Sequence, residues 1–147
     1  MYPSHPLLDF TQFLKRRAVV LLVAKLFNEK ILDENQICMH RERLLKITLN
    51  HKSTQLYLMG GIERLIEKHR DVLLPKTAQI IKELYDHDIV EADVLRRWRR
   101  KRICQYVSSS LFTQILEKAQ PVLSWLDEIE EDAECFDPLV YSFPQAH

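Results

Sequence analysis

Apolar positions recur at helical spacing through most of the chain, and the strict alternation and turn clusters of sheets are nearly absent. After Pro3 and Pro6, which make a short extended entry, "LLDFTQFLKRRAVVLLVAKLFNE" carries apolar residues almost all round from Ala18 to Phe27. A helix apolar on every face is predicted to be a central one. Asp33 is placed to cap a second helix running to about Asn50, with Ile37, Leu44, Leu45 and Leu49 as a thinner stripe. From Ser53 the positions Leu58, Ile62, Leu65, Ile66, His69 and Leu73 predict a third helix, in which Gly60-Gly61 marks either a bend or a closely packed neighbour. Pro75 suits the first turn of a fourth, with Ile80, Ile81, Leu84 and Tyr85 facing inward. "DHDIVEAD" is a tight link to a short fifth helix holding Val94, Leu95 and Trp98. The serines of "VSSSLF" offer a cap for the last segment, where Leu111, Phe112, Ile115, Leu116, Ala119, Val122, Leu123, Leu126 and Ile129 keep helical period. Pro121, inside that pattern, either kinks one helix or opens a second. Beyond Ala133 the pattern is lost, so residues 1–132 are expected to form one helical domain and residues 133–147 a loosely ordered tail.

Helices of this length on short links predict an all-α fold of antiparallel pairs stacked as a helical-repeat domain, with a compact bundle as the alternative. At 147 residues and 46% hydrophobic composition, the chain has the size and apolar content for one core. The longest apolar run, Ala18 to Ala24, falls far short of the ~20 residues that cross a bilayer. It follows "KRR", but Lys25 cuts it short and no small-residue cleavage site follows, so it does not fit a secretory signal. Cys38, Cys104 and Cys135 are odd in number and form no CxxC pair, which argues against a disulfide framework or a zinc site and fits a reducing compartment.

Candidate chemistry is thin. Cys38 and His40 are two apart, a spacing that puts them on different helical faces, with no further ligand nearby in sequence. His87 lies between Asp86 and Asp88, which favour its charged form in a solvated turn. No glycine loop cradles a phosphate, and no catalytic, cofactor-binding or metal-ligating residue is predicted.

Charge patterning says more. The formal net charge of zero arises by cancellation, because six of the seven residues from Arg96 to Arg102 are basic and six of the eight from Asp127 to Glu134 are acidic. With Val94, Leu95 and Trp98 turned inward, Arg96, Arg99 and Arg100 are expected to reach solvent. There they would complement the helix dipole, contact RNA backbone or meet a protein partner. The acidic run opposes the dipole, and like charges such as Asp127 with Glu130 and Glu131 repel at helical spacing, so local stability does not explain it. Solubility or a lysine-rich partner does.

Two stretches carry a resemblance. "IIKELYDHDIVEADVLRRW", Ile80 to Trp98, and "YVSSSLFTQILEKAQPVLSWLDEIEED", Tyr106 to Asp132, resemble the two aromatic and acidic boxes of the C-terminal domain of eukaryotic translation initiation factor five. The shared features fall at Tyr85, Asp86, Asp88, Glu91, Asp93 and Trp98, then at Lys118, Ala119, Pro121, Trp125, Leu126, Glu128, Glu130 and Glu131. The likeness covers Asn50 to Asp132 and reaches the first 49 residues only in hydrophobic character. The epsilon subunit of initiation factor two-B and the factor-five mimic proteins share parts of the pattern.

The resemblance implies an atypical HEAT-like stack that acts as a non-enzymatic hub in the cytoplasm. Its implied partners are the lysine-rich blocks of the beta subunit of initiation factor two, initiation factor one and a subunit of initiation factor three. It implies a partner-binding acidic surface made of Asp86, Asp88, Glu91, Asp93, Asp127, Glu128, Glu130, Glu131, Asp132 and Glu134, with Tyr85, Trp98 and Trp125 as structural anchors. The basic residues Arg96, Arg97, Arg99, Arg100, Lys101 and Arg102 are denser than the family pattern, leaving open a weak RNA contact or an acidic protein partner. Nothing matches the GTPase-activating arginine or zinc ribbon of the family's separate N-terminal domain, so the chain is expected to be an excerpt or a shortened relative, monomeric and without a cofactor. Nucleotide exchange, as in the epsilon-subunit relative, is the alternative activity.

Overall fold

The computed structural model describes the backbone of residues 6–134 and, within it, the side chains of residues 10–130. The described residues form α1 (Pro6–Leu26), α2 (Gln36–Met39), α3 (Arg41–Thr48), α4 (Lys52–Lys68), α5 (Arg70–Leu73), α6 (Thr77–Asp86), α7 (Ala92–Arg99) and α8 (Ser109–Glu134), with a 3-10 turn at Leu74–Lys76 and no strand. The all-α, HEAT-like architecture is the one expected. The α1 helix packs on α4 and α6 on α8, while α7 is wedged between α4 and α8.

The central helix is not the one expected. Although α1 is apolar almost all round, it lies on the flank: Val19 and Val23 are buried, while Phe10, Phe13, Leu14 and Leu21 are exposed. The centre belongs to α4, which buries Leu58, Met59, Ile62, Leu65 and Ile66 and even its polar Thr54, Gln55 and Glu63. Its glycine pair is what admits neighbours. A Cβ on Gly60 would overlap the ring of Tyr106, and one on Gly61 would come within 2.8 Å of Val23. Of the two readings of Gly60-Gly61, close packing is the one observed, and it occurs on both glycines.

Three helix boundaries differ from the sequence pattern. Asp33 caps nothing: the residue before α2 is Asn35, in the left-handed region at φ 50°, and Asp33 instead faces Lys76 at 3.7 Å. The turn is held by a reciprocal pair in which the backbone N–H of Asn28 donates to Gln36 Oε1 at 3.1 Å and Gln36 Nε2 donates to Asn28 Oδ1 at 2.9 Å. The expected single helix to Asn50 breaks at His40, and the next one breaks at His69, whose φ and ψ of −120° and 49° lie outside the helical region. Pro75 sits in the 3-10 turn just ahead of α6. Pro121, by contrast, leaves α8 continuous, because Ala119, Val122, Leu123 and Leu126 stay buried on both sides of it. Ser108 does cap α8, its Oγ accepting the Leu111 N–H at 3.1 Å. The expected tail begins within the last turn of α8, and residues 135–147, Cys135 among them, lie outside the described residues.

Candidate functional site

The α7 helix is pinned by Trp98, which is 2% exposed and meets Phe112 of α8 edge to face at 5.5 Å. Its indole N–H donates to Glu63 Oε2 at 2.8 Å. The Lys101 ammonium donates to the same oxygen at 2.5 Å and lies over the rings of Tyr106 and Phe112. Glu63 is fully buried, and its other oxygen, Oε1, has no hydrogen-bond partner among the described residues. Burial pushes its carboxyl pKa up, while Lys101 and the Trp98 N–H pull it down without cancelling the effect.

Two of the arginines expected to reach solvent do so only in part, being turned onto α8. Arg96 Nε donates to Glu130 Oε1 at 2.8 Å, and Arg99 Nη2 reaches both oxygens of Asp127 at 3.0 and 3.1 Å. The Arg96 side chain is only 17% exposed, and its Nη1 is buried with no hydrogen-bond partner among the described residues. The reason is α8: the strip flanking the apolar face of α7 is covered by a second helix whose carboxylates meet it. Arg97, Arg100 and Arg102 remain exposed, with no carboxylate partner among the described residues.

The acidic positions divide in the same way. Asp127 and Glu130 face α7, whereas Glu128 is exposed and has no ion-pair partner among the described residues. Glu131, Asp132 and Glu134 fall in the last turns of α8, beyond the described side chains. From the first box, Asp86, Asp88 and Glu91 line a single groove of about 620 Å³ together with Leu45, Leu49 and Tyr85. The link that builds this groove turns at Asp88, which has φ 63°. It is held by Arg41, which donates from Nε to the His87 carbonyl at 3.1 Å and approaches the Asp88 carboxylate at 3.5 Å. His87 itself sits 3.4 Å from Glu83 rather than against either neighbouring aspartate. Asp86 pairs with Lys82 at 2.8 Å, and Asp93 with Lys52 in a close contact that lowers the pKa of the carboxyl and raises that of the ammonium.

Glu91 has a structural role as well as a charge. Its N–H donates to Gln55 Oε1, and Gln55 Nε2 donates both to Glu91 Oε2 and to the Thr48 carbonyl, all at 2.9 Å. The buried Gln55 thus ties the start of α7 to the end of α3. The two boxes also touch: Tyr85 and Trp125 meet edge to face at 5.8 Å, and Lys82 lies 4.7 Å over the Trp125 ring. Trp98, Tyr85 and Trp125 are therefore packed against other elements, Trp98 completely and the other two in part.

Glu63, Gln55, Arg41 and Lys52 were not singled out from the sequence. Glu63 carried one signal: it lies four residues after Met59 and three before Ile66, inside the apolar stripe. Cys38 is exposed, and among the described residues no group of three His, Cys, Asp or Glu is placed to hold a metal ion. No helix among them is long and apolar enough to cross a membrane.

Comparison with known proteins agrees with this geometry. Residues 54–135 match the family model W2: eIF4-gamma/eIF5/eIF2-epsilon. The chain is 48% identical over 121 residues to eukaryotic translation initiation factor 5 of Caenorhabditis elegans, covering 82% of the chain and 28% of that protein. It is 38% identical over 116 residues to the Drosophila melanogaster factor, covering 79% of the chain and 25% of the relative. The nematode match is longer than the segment from Asn50 to the end, so the likeness reaches into the first 49 residues, further than their hydrophobic character alone. The chain spans little more than a quarter of the length of these relatives. A solved structure of the C-terminal domain of translation initiation factor 5 at low pH superposes with a TM-score of 0.74 at 29% identity, covering 81% of this chain and 71% of that one. The chain thus belongs to the W2 family of translation initiation factor domains, as a homologue of the C-terminal domain of eukaryotic translation initiation factor 5.

Proposed function

We propose that this domain is a non-enzymatic scaffold in cytoplasmic translation initiation that captures lysine-rich segments, those of the beta subunit of initiation factor two first among them. The observation that carries the reading is the groove lined by Asp86, Asp88 and Glu91, where carboxylates border an apolar surface containing Leu45, Leu49 and Tyr85. The Asp88 side chain is 75% exposed and Leu49 is 55% exposed, so an ammonium and the methylene stem behind it meet partners of the right kind together. Lys82 and the Trp125 ring extend this face toward α8, where Glu128 lies one turn beyond Trp125 and adds a carboxylate with no ion-pair partner among the described residues, whereas Asp86, Asp88 and Glu91 each lie near a cation of this chain that an incoming ammonium would share or displace. In this reading Asp127 and Glu130 contribute mainly by fixing α7, since each already holds an arginine. Contacts with initiation factor one and a subunit of factor three belong to the same assembly role.

The mechanism is electrostatic encounter followed by apolar registration, so affinity falls as salt shortens the Debye length to about 8 Å and below. The test is titration of a lysine-rich peptide against the wild type and an Asp86→Asn, Asp88→Asn, Glu128→Gln variant. Asparagine is chosen at position 88 because it tolerates the left-handed backbone found there. Removing three exposed charges should weaken binding by about tenfold at low salt. Equal affinities would sink the assignment.

A further inference from the structure

We propose that Lys82 is an internal stand-in for a partner's lysine: its ammonium occupies the place formed by Asp86 of α6 and the Trp125 ring of α8, and an incoming lysine takes that place by displacing it. This role presupposes the lysine-binding face described above and adds to it a residue of this chain that limits affinity. Lys82 Nζ lies 2.8 Å from the Asp86 carboxylate and 4.7 Å from the centroid of the Trp125 ring. A carboxylate and an indole face both attract an ammonium, and here a single ammonium has both. Beside it, Ala78, Pro121, Val122 and Trp125 line an apolar hollow of about 280 Å³. Such a hollow gives a methylene stem an apolar wall while the charged head stays at the rim.

Helix chemistry does not explain the contact. Asp86 is the last residue of α6, where a carboxylate opposes the helix dipole, and a lysine four positions before an acid is the less favourable order for such a pair. Nor does the packing of α6 depend on it, since Ile80, Ile81 and Leu84 are buried and Tyr85 meets Trp125 edge to face without it. Both partners stay half open to water, the Lys82 side chain at 50% exposure and that of Asp86 at 43%, so the pair is weak enough to exchange.

The other cations on this face are committed differently. Arg41 also donates to the His87 carbonyl, and Lys52 lies between Glu91 and Asp93. Displacing Arg41 breaks a bond that shapes the link, and displacing Lys52 unpairs two carboxylates. Lys82 is the cation that one incoming ammonium replaces like for like.

The experiment titrates a labelled oligolysine peptide, read by anisotropy at about 0.15 M salt, where a Debye length of about 8 Å restricts the comparison to nearby charges. Lys82→Gln should bind the peptide about two- to fivefold more tightly than the wild type, with a steeper dependence on salt. Lys82→Arg, which keeps the charge, should give no gain, and adding Asp86→Asn to Lys82→Gln should remove most of it. Lys76→Gln removes the same charge from a different ion pair, that with Asp33, and should leave affinity unchanged. Clear binding by the wild type with equal or weaker binding by Lys82→Gln overturns the role of Lys82 and leaves the scaffold reading standing. Equal tightening by Lys76→Gln, or a gain that survives Asp86→Asn, also overturns it, because general charge would then be enough. No binding by any of these proteins sinks the scaffold reading and the role of Lys82 with it.

Discussion

At the residue scale the most consequential group is Glu63, a fully buried carboxylate held by Trp98 and Lys101 on one oxygen only. A buried ion pair contributes little net stability, yet removing one partner leaves an uncompensated charge in the interior. Lys101→Ala should therefore destabilise the fold by about 3 kcal/mol in urea unfolding. The loss should be greater at pH 8 than at pH 5, because at lower pH the orphaned carboxyl takes up a proton. In the wild type, burial raises the Glu63 pKa above the ordinary value of about 4.3, so the folded state binds this proton more readily than the unfolded chain. The contribution of this group is thus present below that value and is lost as pH rises through the folded pKa. Glu63→Gln keeps an acceptor for the indole N–H and should remove this pH-dependent component; an unchanged stability–pH profile would show that Glu63 does not titrate there.

At the scale of elements, α4 is central because its two glycines let other chain segments reach its backbone. Gly61→Ala should push α1 away at Val23, and Gly60→Ala should displace the Tyr106 ring, each costing about 1–3 kcal/mol. Adding Val23→Ala to Gly61→Ala should recover part of the loss in a double-mutant cycle, while Val23→Ala should leave the cost of Gly60→Ala unchanged. Much of this level was legible in the sequence: α7, the Ser108 cap and the periodicity of α8 all follow from spacing. The assignment of α1 to the centre failed because apolar periodicity reports what a helix is able to bury, whereas the approach of neighbours decides what it does bury. Asp33 failed as a cap for a related reason. The Gln36–Asn28 pair fixes that turn, and its partners are eight residues apart in sequence.

At the scale of the whole molecule, the basic run of α7 and the acidic run of α8 partly cancel inside the fold. The two interhelical pairs, Arg96 with Glu130 and Arg99 with Asp127, have mostly covered guanidinium groups and partly exposed carboxylates, and each contributes roughly 1 kcal/mol or less. Arg99→Asp should lower the unfolding midpoint through repulsion with Asp127, and adding Asp127→Arg should restore most of it at low salt and less at high salt. If the swap restored nothing, the pair would have no part in docking α7. Outside these pairs, Asp86, Asp88 and Glu91 border the groove together with Arg41, so cations of this chain already balance part of the charge there.

The sequence by itself determined the helical class, the position of most helices, the two aromatic and acidic boxes and hence the family, because each depends on local periodicity or on residues close together in the chain. Only the tertiary structure decided which charges are available. Pairing between Arg99 and Asp127 spans 28 positions, and the contact between Arg16 and Gln105 spans 89. Separations of that size are bridged by packing of helices on one another, and helical period carries no information about them.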